Sequence, residues 1–245
     1  METIKKIFFF HNPKAGGTSI QQILLNLGLR SYAPIIENNM VEHQELNGDY
    51  KAFKGYYCYM GHYGRDIFSV VNDNHLCMTS FRHPITRVLS LYNFFRFTVQ
   101  LSEQKLSTEK YFAVRLAKTV DLKTFVSMND PRVDVYIQNA HFRQLTNSGW
   151  SLCMTGSLMQ AFDFIDQMAF YYVCEHPQES LNWFKKTMGM DISLFPRVNI
   201  TSSQSEKIVD LKNIDDNTLA EIYSKNTFDL ALHDYAVNHL LNKIS

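Results

Sequence analysis

The run Phe8-Phe9-Phe10-His11-Asn12-Pro13-Lys14-Ala15-Gly16-Gly17-Thr18-Ser19-Ile20 constrains the fold more than any other stretch of the chain. Ile7 to Phe10 is a short apolar run suited to a strand buried on both faces. Past the loop, Ile20, Ile23, Leu24 and Leu27 fall at i, i+3, i+4 and i+7, one face of a helix. Thr18 with Gln21 fits a capping box, and Gly28 fits a helix stop. The reading is a strand, a tight lysine-glycine loop and a helix. Backbone N–H groups at a helix N-terminus point at an anion, and the helix dipole favours negative charge there. Gly16 and Gly17 allow close backbone approach, and Lys14 adds a full positive charge at the mouth. Taken alone, the stretch also fits a plain Gly-Gly turn.

Residue order narrows the choice. A Walker A loop needs G-x-x-x-x-G-K-[ST], with lysine after the glycines; here Lys14 precedes Gly16 and Gly17. The order P-K-x-G-G-T-S resembles the phosphosulfate-binding loop of sulfotransferases that use 3′-phosphoadenosine 5′-phosphosulfate. That resemblance implies that Lys14, Ala15, Gly16, Gly17, Thr18 and Ser19 hold the donor's phosphosulfate end. Such a donor needs a second anion site for its 3′-phosphate. Leu76 to Phe81 reads as a strand, Pro84 suits a first helical turn, and Val88, Leu91 and Phe95 mark a buried face. Arg87 and Ser90 share another face, with Arg82 at the strand end in reach of the same point. The segment resembles the family's R-[DN]-P-x-x-R-x-x-S-x-Y site, with His83 as a departure. The resemblance gives the 3′-phosphate to Arg82 and Ser90.

Looser matches extend to residue 240. Tyr136 to Leu145 resembles the N-x-Q-x-R-x-L helix of the heparan sulfate 2-O-sulfotransferase-like branch, with His141 in place of glutamine. Tyr171 to Leu181, Val198 to Thr201 and Asn226 to Tyr235 resemble that branch's later segments. The family implies an α/β fold of the P-loop-NTPase-like three-layer kind, a central parallel sheet flanked by helices. Strands are predicted near 5–10, 54–60, 76–81 and 168–174. Helices are predicted near 18–28, 84–98, 104–118, 121–128, 133–145, 177–188, 216–225 and 227–242. Residues 99–130 carry no motif and read as a solvated helical hairpin rather than a lid. No linker or repeat divides the chain, so residues 1–245 are taken as one sulfotransferase domain.

With 24 basic and 24 acidic residues, no global field draws polyanions, so nucleic acid is not an expected partner. Cys58, Cys77, Cys153 and Cys174 lack metal or disulfide spacing. No signal peptide or apolar span is evident, which reads as a cytoplasmic protein without membrane contact. Sulfuryl transfer to an acceptor hydroxyl needs a base and a cation at the leaving oxygen, with no metal. Lys14 is expected as that cation. His62 is expected as the base, since Gly61-His62-Tyr63 resembles the histidine segment of the 2-O-sulfotransferase branch and an imidazole suits the task. That branch's second histidine is replaced by Met60. His11, His141 and Glu175 are the reserve candidates. A late loop, through Ser202 and Ser203 with Thr201 and Lys207, is expected to contact the donor, although Ser203 and Glu206 equally read as a capping box. The acceptor is expected to be a carbohydrate or small metabolite. The alternatives are a P-loop-like nucleotide kinase and a non-catalytic nucleotide-binding protein of the same fold.

Overall fold

A computed structural model describes residues 5–26, 50, 53–189 and 208–244. Its strands are β1 (Ile7–Phe10), β2 (Cys58–Gly61), β3 (Leu76–Phe81) and β4 (Phe170–Val173). The helices begin with α1 (Gly17–Asn26), α2 (Arg65–Val71), α3 (Pro84–Asn93) and its π-helical extension Phe94–Thr98. There follow α4 (Glu103–Leu106), α5 (Phe112–Thr119), α6 (Leu122–Ser127), α7 (Pro131–Ile137), α8 (Ala140–Thr146) and α9 (Leu158–Asp166). After β4 come α10 (Pro177–Met188), α11 (Asp216–Lys225) and α12 (Thr227–Ile244).

The sheet is wholly parallel, in the order β2-β1-β3-β4. Every residue of β1 and β2 is buried, as strands covered on both faces require. Phe8 and Phe10 pack on Phe68 of α2, and Phe10 also meets Phe164 of α9 edge-on. On β4, Phe170 and Tyr171 pack on Trp183, and Phe170 also on Phe184, both of α10. This is the α/β architecture read from the sequence, a parallel sheet flanked by helices. The carboxyl ends of β1, β2 and β3 lead into the His11–Gly16 loop, His62 and Arg82, the edge where such sheets bind ligands.

Three expectations need correction. Residues 99–130 are not a solvated hairpin. Ala113, Val114, Ala117, Leu122, Phe125 and Val126 join Val88, Leu91, Tyr92 and Phe95 in a second hydrophobic core, while the half-buried Arg115 and Lys118 of α5 donate to the carbonyls of Leu106 and Arg96. The helix expected over 133–145 breaks between α7 and α8, because Asn139 takes a left-handed backbone, φ 43°. Helices α2 and α9 were not anticipated, although α9 carries a full Ser157–Gln160 capping box.

The Asn139 break has a structural purpose. Its side-chain oxygen accepts from the N–H groups of Phe228 and Asp229, capping α12 from outside at 3.0 and 3.2 Å. The Asp229 carboxylate in turn accepts from the N–H groups of His141 and Phe142, capping α8 at 3.1 and 2.8 Å. Asn226 accepts from the Asn139 N–H at 3.2 Å and closes the exchange. The two loosely matching segments, around Asn139 and Asn226, are therefore two halves of one reciprocal cap.

Candidate active site

The loop after β1 is held by its backbone and by what lies beneath it. The Ala15 N–H donates to the Asn12 carbonyl at 3.3 Å, and Lys14 and Gly16 both have left-handed backbones, φ 65° and 79°. A side chain at Gly16 would also press on Cys174 Sγ and the Tyr172 ring at 3.2 Å. Gly17 is required by a different neighbour: a Cβ there would lie 2.2 Å from His11 Cδ2. For a lysine, the left-handed conformation costs about 1–2 kcal/mol. Such strain persists where its surroundings over-determine it, commonly at functional sites. Helix α1 starts at Gly17, and Thr18 is exposed, making no capping bond. The capping box expected of Thr18 and Gln21 is thus absent. The first N–H groups of α1 lack intrahelical partners, as at any helix start.

Lys14 and Arg82 give the loop its charge. The Lys14 ammonium sits 4.0 Å from the centre of the Phe94 ring, which the π-helical extension of α3 presents to it. Arg82 donates to the Lys14 carbonyl at 3.3 Å and to Thr86 Oγ1 at 3.2 Å. Burial, and then the charge of Arg82, lower the Lys14 pKa to about 8. Among the described residues neither cation has a carboxylate partner. Ser90 lies one turn beyond Thr86 on α3 and is half-buried. Arg87 behaves differently from the expectation that it shares Ser90's face. It is fully buried and donates to the Tyr136 and Ile137 carbonyls at 2.9 and 3.4 Å, tying α3 to the end of α7. Thr86, not Arg87, joins Arg82 and Ser90.

His62 stands beside this loop. Its Nδ1 donates to the His11 carbonyl at 2.7 Å, since a carbonyl can only accept. The tautomer is thereby set, and Nε2 keeps a free lone pair. Burial, and then the proximity of His11, hold its pKa well below the usual imidazole value, so the ring is neutral. The His11 ring lies 4.8 Å from that of His62, stacks on Phe9, and has its pKa lowered to about 4 by burial and then by Lys14. A second imidazole is therefore present after all, delivered from β1 rather than from position 60 on β2.

Two of the reserve bases, Glu175 and His141, are tied into or enclosed by the fold. Glu175 accepts from the His83 N–H at 3.0 Å, from Thr86 Oγ1 at 3.3 Å and bonds His233 Nε2 at 3.1 Å, a tie between β4, α3 and α12. His141 is fully buried against Phe81, with its ring nitrogens enclosed. Ser202 and Ser203, with Thr201, Lys207 and Gly28, lie outside the described residues.

Next to His62 opens a small cleft with room of about 20 Å³ for water-sized groups. Pro13, Val135, Tyr136, Ala140, Gln144, Gly149 and Trp150 form the rest of its lining. Gln144 and Trp150 carried no sequence signal, because they reach the loop only through the fold of α8. Arg143 builds this wall. Its guanidinium donates to the carbonyls of Gln138, Gly149, Ser151 and Val135 at 2.6–2.9 Å.

No family model matches the chain, and no curated protein matches it. Among solved structures it is similar to the crystal structure of mouse sulfotransferase SULT7A1 complexed with PAP. The identity is 12%, the match covers 94% of this chain and 65% of that chain, and the TM-score is 0.37. This chain thus spans just under two thirds of that neighbour's length. Among the described residues no helix is long and apolar enough to cross a membrane, and no group of three or more His, Cys, Asp or Glu is placed to hold a metal ion.

Proposed function

We propose that this protein is a sulfotransferase that moves a sulfuryl group from 3′-phosphoadenosine 5′-phosphosulfate to an acceptor hydroxyl. The observation that carries the reading is the pair of cations at the strained loop before α1: Lys14 on the loop, and Arg82 reaching its carbonyl from the end of β3, neither with a carboxylate partner among the described residues. A partly buried lysine whose pKa is lowered by burial and then by the neighbouring Arg82 charge calls for an anionic ligand. Lys14, Ala15, Gly16, Gly17, Thr18 and Ser19 would take the phosphosulfate end, and Arg82 with Ser90 the 3′-phosphate.

The donor supplies an activated sulfur on a phosphate leaving group. In the step, the acceptor oxygen forms a bond to sulfur as the bond from sulfur to the phosphate oxygen breaks. The acceptor proton passes to Nε2 of His62, which is neutral and oriented by its Nδ1–H bond to His11. Lys14 meets the charge that grows on the leaving oxygen. His11, beside both Gly17 and His62, would donate a hydrogen bond to the transferring group.

The test is transfer of labelled sulfur from the donor to a panel of hydroxyl compounds. His62→Ala should abolish transfer and leave binding of adenosine 3′,5′-bisphosphate intact. Turnover by His62→Ala at the wild-type rate would remove His62 from the mechanism. The kinase alternative has no matching observation in its favour, since Lys14 stands before the glycines.

A further inference from the structure

Arg82 is held by the protein at two points. Its Nε–H donates to Thr86 Oγ1 at 3.2 Å, and its Nη1 donates to the Lys14 carbonyl at 3.3 Å. An arginine side chain has many rotamers to lose. Its guanidinium is flat and rigid, so two fixed points set both its place and its plane. What holds Thr86 therefore decides where Arg82 points.

Thr86 is held by Glu175, which follows β4. Glu175 Oε1 accepts from the His83 N–H at 3.0 Å and lies 3.3 Å from Thr86 Oγ1. Thr86 has one hydroxyl proton, which serves Glu175 or the His83 carbonyl at 3.0 Å, and its lone pairs remain for the Arg82 Nε–H. His83 is the N-cap of α3, and its own side chain makes no cap bond. Glu175 thus brings from another strand the carboxylate that a capping box takes from within the helix. Its second oxygen, Oε2, lies 3.1 Å from His233 Nε2 on α12. Burial pushes the Glu175 pKa up, but the bonds from His233 and the His83 N–H outweigh it, and the net direction is down. An ionised carboxylate only accepts, so His233 Nε2 carries the proton between them.

This spacing has an electrostatic consequence. A carboxylate in direct contact with Arg82 would occupy its fork of donors and offset its charge. Among the described residues none does, and Glu175 reaches Arg82 only through the neutral Thr86 hydroxyl. The guanidinium is oriented while its Nη2 group keeps no partner among the described residues.

We propose that Glu175 and Thr86 are positioning residues, a brace anchored by His233 that presets Arg82 for an anionic ligand. The proposal rests on the reading of Arg82 as a contact to the donor's phosphate, but the brace belongs to the free protein and can be measured there on its own.

The experiment pairs calorimetric titration with adenosine 3′,5′-bisphosphate and NMR spectra of the arginine Nε–H groups in the free protein, the Arg82 signal being assigned by its loss in Arg82→Ala. Thr86→Val should weaken the bisphosphate about five- to tenfold, and Thr86→Ser, which keeps the hydroxyl, should restore binding to within about twofold of wild type. Glu175→Ala should weaken it to a similar degree. Glu175→Asp, which draws the oxygens back by one methylene, serves if that variant fails to fold. On an Arg82→Ala background Thr86→Val should have no further effect, because the group it positions is gone. In the free protein the Arg82 Nε–H signal should shift and exchange faster with solvent in the Thr86→Val and Glu175 variants. Wild-type binding by Thr86→Val or by the Glu175 variant, no rescue by Thr86→Ser, an undiminished Thr86→Val loss on the Arg82→Ala background, or an unchanged Arg82 signal would each overturn the proposal. Failure of the wild-type protein to bind the bisphosphate would count against the donor reading instead, and the Arg82 signal would then decide the brace alone.

Discussion

Lys14→Met should make the protein more stable while destroying the proposed donor site. The burial that lowers the Lys14 pKa to about 8 acts against the charged form at neutral pH. At about 1.4 kcal/mol per pH unit, the penalty for keeping it protonated is on the order of 3 kcal/mol. Partial solvent access trims that figure, and the Phe94 ring returns about 0.5–1 kcal/mol through cation–π attraction. Methionine keeps much of the stem's packing and drops the charge. The left-handed backbone at residue 14 remains in the variant, so its strain cancels from the comparison. A net gain of roughly 1–2 kcal/mol at pH 7 follows, or about 3–6 °C in melting temperature for a chain of this size. The sign with pH is fixed by linkage. Since the folded pKa is the lower one, the unfolded chain binds more protons between pH 8 and the ordinary lysine range. Wild-type stability from this group therefore rises across that window, and the variant's advantage should shrink above pH 8. Thermal melts of both proteins at pH 7 and pH 10 decide the matter. A Lys14→Met protein that melts below wild type, or whose advantage is the same at both pH values, would refute the reasoning.

The remaining expectations concern the scaffold and the pH profile. Arg143→Met should cost about 3–5 kcal/mol in urea denaturation, since it strands the carbonyls of Gln138, Gly149, Ser151 and Val135. Asn139→Ala should cost about 2–3 kcal/mol, through the lost α12 cap and the left-handed backbone, whereas Asn139→Gly should lose only the cap, about 1 kcal/mol less. In transfer assays, kcat/KM should fall at alkaline pH with a midpoint near 8 as Lys14 loses its proton, and stay flat down through pH 6.5 because His62 is already neutral. An alkaline limb unchanged in Lys14→Arg would assign it to another group.

What the sequence disclosed, and what it hid, divides by range. Strand, loop and helix around Lys14 were legible because periodicity, glycines and apolar runs act over a few residues. The parallel sheet followed from the same local signals. Arg87 was misplaced because two arginines five residues apart look alike until the partners are known; the α7 carbonyls that draw Arg87 inward lie about fifty residues away. The α5–α6 region read as solvated because its small buried residues, Ala113 and Ala117, are weak signals beside the charges around them. Gln144 and Trp150 were invisible as cleft residues, since long-range bonds, those of Arg143 to the Gly149 and Ser151 carbonyls and of the Asp66 N–H to the Asn147 carbonyl, hold their segment in place. The second imidazole was sought next to His62 in sequence, and it came from His11 across the sheet.

The most direct test of the central claim is calorimetric titration of the full chain with adenosine 3′,5′-bisphosphate, alongside ATP with Mg²⁺. The expected result is one site per chain for the bisphosphate, weakened at least tenfold by Arg82→Ala, with ATP much weaker. Tight ATP binding with no binding of the bisphosphate would contradict the account.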